Sequence, residues 1–515
     1  MASRSTPLST DARINALLVG QHWGLSIGEA IALSYSIPQG NAYWIEDYTG
    51  NEPSNWSGLS AAETSAFQQA LNAWAEVANI NFTQVADDIN YGDIRVAFSQ
   101  LVSDSPTVAA WAYIPGEPEE SGDIWLDRFA GGNYQPGSFG YATFLHELGH
   151  ALGLGHPFET KTANNALLTG TENSSQYSVM SNLDYEGTGF TFISTGANSY
   201  SWYPVQLTTP MLYDILAIQY LYGANMSTRT GDDNYTFSKS SAELKAIWDA
   251  GGVDTFDLSN QSRSQWVNLN AGEFSSIGIK ETWQSGQGIV VSSAVDNIAI
   301  AYDVIIENAI GGTGNDVLTG NQVGNQLNGG PGSDRLIGGQ GIDTAIYAEN
   351  FANYSLSTNQ ALQILVRNST TEDLDTLSEI EWLQFKDQTI AASVFSGNGP
   401  QNPDEVILNP AEGSENHINY FLLSLPQALS IDATVDYKTL DGSAIAGLDY
   451  KATAGFATIS AGQTSTVIGV EIIADTIAEQ NETFFLEVSN PRGANFPEGE
   501  ITLTAMRTII DDDFI

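Results

Sequence analysis

From Gly311 to Ile346 the chain counts in nines. The units Gly311–Thr319, Gly320–Asn328, Gly329–Ile337 and Gly338–Ile346 run in register, each opening on glycine. Gly312 and Gly314, Gly330 and Gly332, and Gly339 and Gly341 recur at the turn positions, where glycine permits tight bends. The eighth residue of each unit is apolar: Leu318, Leu327, Leu336, Ala345. A unit this short cannot bury an apolar face alone, so the units must stack, and the pattern predicts a parallel β-roll. With two units per coil, equivalent turns lie 18 residues apart. Asp316 then faces Asp334, and Asn325 faces Asp343. Carboxylate and carbonyl oxygens arranged in this way suit Ca²⁺. The second unit is degenerate, with Val323 in place of a glycine and Asn325 in place of an aspartate, and its site is expected to be weaker.

A second pattern carries chemistry. Three of the five histidines fall in His146-Glu147-Leu148-Gly149-His150-Ala151-Leu152-Gly153-Leu154-Gly155-His156. Positions four apart share a helix face, so His146 and His150 can present two imidazoles to one ion. Gly153 can turn the chain and bring His156 back as a third nitrogen ligand. Three protein ligands leave a position on Zn²⁺ open, as a catalytic site requires. Glu147 is the neighbour able to exchange a proton with a water at that position. His22 and His417 are isolated and read as ordinary structural or surface residues.

The remainder of the sequence sets limits. There are 61 acidic residues against 17 Lys plus Arg, for a formal net charge of −44. Without a basic footprint, nucleic acid and anionic membranes are poor partners, whereas cations should gather. No cysteine is present, so no disulfide contributes. No stretch is long enough for a transmembrane helix, and the first residues lack the apolar core of a secretory signal. The length suits about three domains. Residues 1–225 alternate strand-like and helix-like stretches, an α+β pattern. In it Ser60-x-x-Glu63 forms a capping box, followed by a core stripe of Phe67, Leu71, Trp74, Val77 and Ala78. Ser121–Leu126 reads as a strand, and Ala110–Ile114 as an edge strand that can receive an extended peptide, with Ala110, Ala112 and Tyr113 as its contact positions. Thr209-Pro210 opens a later helix that Gly223 closes. Residues 226–398 hold the roll. After the Gly/Pro/Asn-rich break at 396–403, residues 399–515 alternate like an antiparallel β-sandwich.

The histidine motif is the metzincin signature, and Gln176–Ser181 is similar to the Met-turn of that clan, with Met180 beneath the zinc. Asp11–Leu18, Ala110–Gly116 and Asp214–Asn225 also resemble segments of the serralysins, a family of secreted bacterial zinc endopeptidases. The resemblance covers about residues 10 to 395. It implies a catalytic zinc on His146, His150 and His156, with Glu147 as general base. It also implies several structural calcium ions, protein or peptide substrates, a monomer, and export by a type I secretion machine without an N-terminal signal. Two loops before the roll match serralysin calcium loops. Arg229 and Gly231 would offer carbonyls there, and Asp249 and Asp254 carboxylates, with Asp233 where the family has threonine. Gly251, Gly252 and Glu307 also match. One departure is at Asn182, where serralysins carry a tyrosine after Met-Ser. Either that phenol is absent, or a nearby tyrosine such as Tyr185 substitutes for it. The last segment resembles Calx-β at Val435–Thr439, Gly447–Tyr450, Asp475-x-x-x-Glu479-x-x-Glu482 and Asp511–Asp513. Asp449, Asp475, Glu479, Asp511 and Asp512 would then be calcium ligands; exposed strand ends explain them equally well. A rival reading of the whole is a calcium-dependent adhesin with an inactive protease domain.

Overall fold

The computed structural model describes residues 2–510 except 41, 45–47, 49–50, 101–108, 117–118, 128–132, 162–163, 195–199, 279–281, 286–287, 360–362, 393–406, 410, 415–417, 426–428, 474–481 and 497–500. The chain forms two compact units, Met1–Ile306 and Glu307–Ile515. The division falls inside the expected 226–398 segment. The expected boundary near 398 lies outside the described residues.

The first unit begins with β1 (Ser3–Ser5), α1 (Ala12–Leu17) and β2 (Gln21–Trp23). There follow β3 (Ile31–Ser36), β4 (Trp56–Ser57), α2 (Ala61–Val77), β5 (Ile80–Gln84), β6 (Ile94–Ser99), β7 (Ala110–Ala112) and β8 (Asp123–Asp127). Helix α3 (Phe139–Ala151) comes next, and α4 (Leu212–Tyr222) follows after two antiparallel strands, Thr188–Ser194 and Tyr200–Pro204. One sheet carries the strands in the order β5-β3-β6-β8-β7, with β4 on β6. Pairs β3–β5, β3–β6 and β6–β8 are parallel, and the edge strand β7 is antiparallel to β8.

Helix α2 starts where its capping box requires: Ser60 N donates to Glu63 Oε2 (2.7 Å) and Glu63 N to Ser60 Oγ (3.4 Å). Phe67, Leu71, Trp74 and Val77 form its buried face. Trp74 Nε1 donates to Leu145 O (3.2 Å), locking α2 to α3. Helix α4 starts two residues later than Thr209-Pro210 predicts. The Thr209 hydroxyl is instead engaged with Ala246, donating to its carbonyl (3.2 Å) and accepting from its N–H (2.9 Å). Asp214 caps α4 from within by accepting from Met211 N (2.9 Å).

The second unit contains the roll. Three-residue strands pair in parallel at 18-residue intervals: Asn308↔Gln326, Val317↔Arg335 and Gln326↔Thr344. Leu318, Leu327, Leu336 and Ala345 are fully buried between the layers. The stack then takes rungs from outside the repeats, Arg335↔Thr376 and Thr344↔Trp382. The hairpin Tyr354–Thr358/Ile364–Asn368 is inserted between them. Beyond it, sheets of three and five strands surround a core that includes Phe421, Val435, Val470, Phe484 and Leu486. Among the described strands of the sandwich the pairs are antiparallel, except that Ala411–Ser414 runs parallel to Thr502–Ile510. The architecture is thus an α+β domain, a parallel β-roll and a β-sandwich.

Candidate metal centre and cleft

Helix α3 is capped by Ser138 Oγ, which accepts from Tyr141 N (3.3 Å). Its last turns put His146 and His150 on one face. The helix ends at Ala151, and two residues later Gly153 turns the chain with a φ of +108°. A Cβ on Gly153 would stand 2.6 Å from Gln21 O, so only glycine fits this bend. The chain returns, and His156 Nε2 comes within 3.2 Å of His146 Nε2 and 3.1 Å of His150 Nε2.

These contacts are not hydrogen bonds, because each ring commits its proton behind it. His146 Nδ1 donates to Val179 O (2.7 Å) and His150 Nδ1 to Leu154 O (2.9 Å). His156 Nδ1 lies 3.2 Å from Glu159 Oε2. Three Nε2 lone pairs therefore converge on one point, an arrangement that a cation relieves. Nitrogens bound about 2.0–2.1 Å from a tetrahedral zinc stand roughly 3.3 Å apart, close to the spacing found here. Burial pushes His146 down to about 4 and His150 well below the usual histidine range. Both are therefore neutral and can ligate, with acceptors on the far ring nitrogen that fix the tautomer. The donor set fits zinc.

Glu147 is 5% exposed and faces the same cleft, and its Oε2 is buried without a partner. Burial alone raises its carboxyl to about 8. A cation alongside favours the ionised form. The cleft measures 890 Å³ and runs past Ala110, Ala112, Thr143, Asn182 and Gln206. Tyr113 does not line it; its ring is turned to the opposite face of β7, with the hydroxyl on Glu52. Asn182 lines the cleft. The Tyr185 hydroxyl packs against Gly187, and no tyrosine lines the cleft among the described residues.

Met180 is fully buried under α3, and a Cβ on Gly149 would come 2.4 Å from its sulfur. The turn is held by Asp214, which sequence reasoning passed over as a site residue. Its carboxylate accepts from Ser178 Oγ (2.7 Å) and Val179 N (2.7 Å). Val179 in turn supplies the carbonyl behind His146. No local pattern marks Asp214, because its partners lie 35 and 36 residues away. Lys161 is a second such residue: its ammonium donates to Ala16 O (2.5 Å) and His156 O (2.7 Å), tying α1 to the third histidine.

The calcium candidates separate by environment. Asp233, Asp249 and Asp254 bring carboxylate oxygens within 4.8 Å of one another. Gly252 approaches Gly231 O so closely that a Cβ would stand 2.2 Å away, and Arg229 takes a positive φ of 51°. Gly251 N donates to Asp249 Oδ1 (2.8 Å), and burial raises Asp254 to about 6.

In the roll, Asp316 N donates to Asp334 Oδ1 (2.8 Å) and Asn325 N to Asp343 Oδ1 (2.7 Å). Oδ2 of Asp334 and of Asp343 is buried with no partner. Added Cβ atoms on Gly330 and Gly332 would meet Gly312 O and Gly314 O at 2.3 and 2.1 Å, and those on Gly339 and Gly341 would meet residues 321 and 323. Asn325 differs from the aspartates: its amide donates to Glu307 O (2.9 Å) and Asn321 Oδ1 (3.0 Å), so it is satisfied without a cation. Two further carboxylates, missed in the sequence, extend the columns. Asp334 N donates to Asp375 Oδ1 and Asp343 N to Glu381 Oε2, each at 2.8 Å. In the sandwich, Asp449 Oδ2 accepts from Ile445 N and shapes a turn. Asp475, Glu479, Asp511, Asp512 and His417 lie outside the described residues. His22 is buried, with Nδ1 3.0 Å from Thr6 Oγ1.

A three-histidine helix-and-return above a buried methionine turn, beside a sheet whose edge strand borders the cleft, defines a metzincin. Family models agree in sequence: Matrixin over residues 45–187, Peptidase M10 serralysin C terminal over 213–438, and Calx-beta domain over 414–513. The chain is similar to the serralysin-type metzincins over the two peptidase models and matches a Calx-beta domain in addition. Its relatives include serralysin of Proteus mirabilis, 34% identical over 58% of this chain and 62% of that one. Serralysin C of Dickeya chrysanthemi is 38% identical over 52% and 55%, and metalloprotease AprA of Pseudomonas entomophila 35% over 55% and 58%. The chain thus spans between 55% and 62% of the length of these relatives. Among solved structures, the apo-form Calx CBD1 domain aligns with 21% of this chain and 97% of that one, at 25% identity and TM-score 0.19. The Calx-beta assignment rests on the family model.

Proposed function

We propose that the chain is a secreted, calcium-stabilised zinc endopeptidase acting on protein substrates. The observation that carries the reading is the convergence of three Nε2 atoms beside Glu147 in one cleft. His146, His150 and His156 would hold the zinc. When bound, zinc supplies Lewis acidity to the peptide carbonyl and to the attacking water. Glu147 takes the proton from that water and returns it to the leaving amine, the two halves of general base and general acid catalysis. Its seclusion from solvent keeps the proton for that exchange. Ala110 and Ala112 offer backbone groups to an extended peptide by strand addition.

Residues 1–225 would carry catalysis, 226–398 the calcium-binding roll and 399–515 a Calx-beta-like sandwich. Calcium would be held by Asp233, Asp249 and Asp254 and by the carboxylate columns of the roll. In a calcium-poor cell interior those columns repel, and export into calcium would drive folding. No described helix is long and apolar enough to cross a membrane. The test is Glu147→Ala. The variant should keep its zinc and fold and lose casein hydrolysis by at least about a hundredfold. Turnover at the wild-type rate rules out the assignment.

A further inference from the structure

One buried acid near the cleft has no part in this chemistry. Glu52, in the short turn Glu52–Asn55, is 3% exposed. Its Oε1 accepts from Trp111 Nε1 (3.1 Å) and from the Tyr113 hydroxyl (2.9 Å). Its Oε2 is buried with no partner. Ser99 Oγ donates to Glu52 O (3.0 Å), anchoring the turn to β6. A buried, half-paired carboxylate is a poor source of stability. What it does achieve is to tie together alternate residues of one strand.

Alternation then decides the effect. Asp127 N donates to Ala109 O (2.7 Å), Tyr113 N to Asp123 O (2.9 Å), and Gly122 N to Tyr113 O (3.0 Å). Trp111 stands opposite Trp125 between these bonds. Residues 109, 111 and 113 thus spend their backbone groups on β8, and Ala110 and Ala112 direct theirs to the open edge. The side chains of Trp111 and Tyr113 go to the face away from the alanines. There they join Trp44, Tyr48, Trp56 and Trp125 in one aromatic cluster. Burial and Glu52 both push the Tyr113 hydroxyl up, so it stays a donor.

We propose that Glu52 is a positioning residue for the substrate strand. Its carboxylate clamps Trp111 and Tyr113 from behind and so fixes the pitch at which Ala110 and Ala112 meet an extended peptide. The inference rests on the endopeptidase reading and adds to it a determinant of extended-substrate binding outside the cleft.

The experiment compares the zinc- and calcium-loaded full chain with Glu52→Ala and Glu52→Gln on two fluorogenic peptides. One is long enough to run along residues 110–113, and the other is confined to the residues flanking the scissile bond. Glu52→Ala should raise KM for the long peptide about tenfold, with its kcat, the zinc content and the short-peptide constants within about twofold of wild type. Glu52→Gln keeps an acceptor oxygen and should stay within about threefold. An unchanged KM for the long peptide, or an equal loss on both peptides, overturns the proposal. If Glu52→Ala does not fold, Tyr113→Phe removes one donor and keeps the ring. It should raise KM about threefold on the long peptide only, and no change would overturn the proposal equally. A wild-type chain that cleaves neither peptide defeats the endopeptidase reading instead.

Discussion

At Gly149 and Gly153 a side chain would collide, with the Met180 sulfur in one case and the Gln21 carbonyl in the other. The three histidines depend on both positions, since one lets the methionine turn pack under the helix and the other returns His156. Gly153→Ala combines an unfavourable backbone angle of at least about 1–2 kcal/mol with the clash. It should lower zinc affinity by tenfold or more in a chelator competition. Wild-type affinity would show that the bend does not set the third ligand. Asp214 shapes the same centre from behind. Burial raises its carboxyl to about 7, against an ordinary value of about 3.9. The folded chain therefore holds a proton there that the unfolded chain gives up earlier. The associated stability is complete below about pH 4 and is lost as pH rises through 7. Denaturant unfolding from pH 4 to 8 should show wild type losing ground against Asp214→Asn. Parallel curves would contradict the assignment. The histidine spacing was legible because helix periodicity and one glycine suffice to predict it. Asp214 and Glu52 were not, because each takes its meaning from partners tens of residues away.

The roll shows how far a repeat can be read from sequence. Leu318, Leu327, Leu336 and Ala345 all point inward as the period requires, and the 18-residue register appears in the parallel pairs. What the period could not announce is its own continuation. Asp375 and Glu381 take the next places in the two columns from 41 and 38 residues further on, because a hairpin intervenes. In the degenerate unit the Asn325 amide donates two hydrogen bonds, whereas Asp334 and Asp343 each keep a buried oxygen without a partner. Asn325→Asp should therefore bind calcium more tightly, with a lower calcium midpoint for folding in a titration followed by circular dichroism. It should also be less stable than wild type in excess chelator, where the new charge is unpaired. A midpoint that stays put would mean that no ion is held at that turn.

On the scale of the molecule, a chain with a net charge of −44 groups side chains able to hold cations in three places. Three imidazoles converge at the cleft, three carboxylates gather before the roll, and carboxylate columns run along it. The three-part architecture was readable because each part has its own grammar: helical spacing, a nine-residue count and strand alternation. The parallel strand inside the sandwich was not, since alternation carries no direction. Diffraction from the calcium-loaded full chain, collected on both sides of the zinc absorption edge, tests the central claim most directly. It should show one anomalous zinc peak bonded to Nε2 of His146, His150 and His156, with a fourth position left to solvent. Absence of that peak from zinc-saturated protein, or zinc bound elsewhere with those histidines apart, would contradict it.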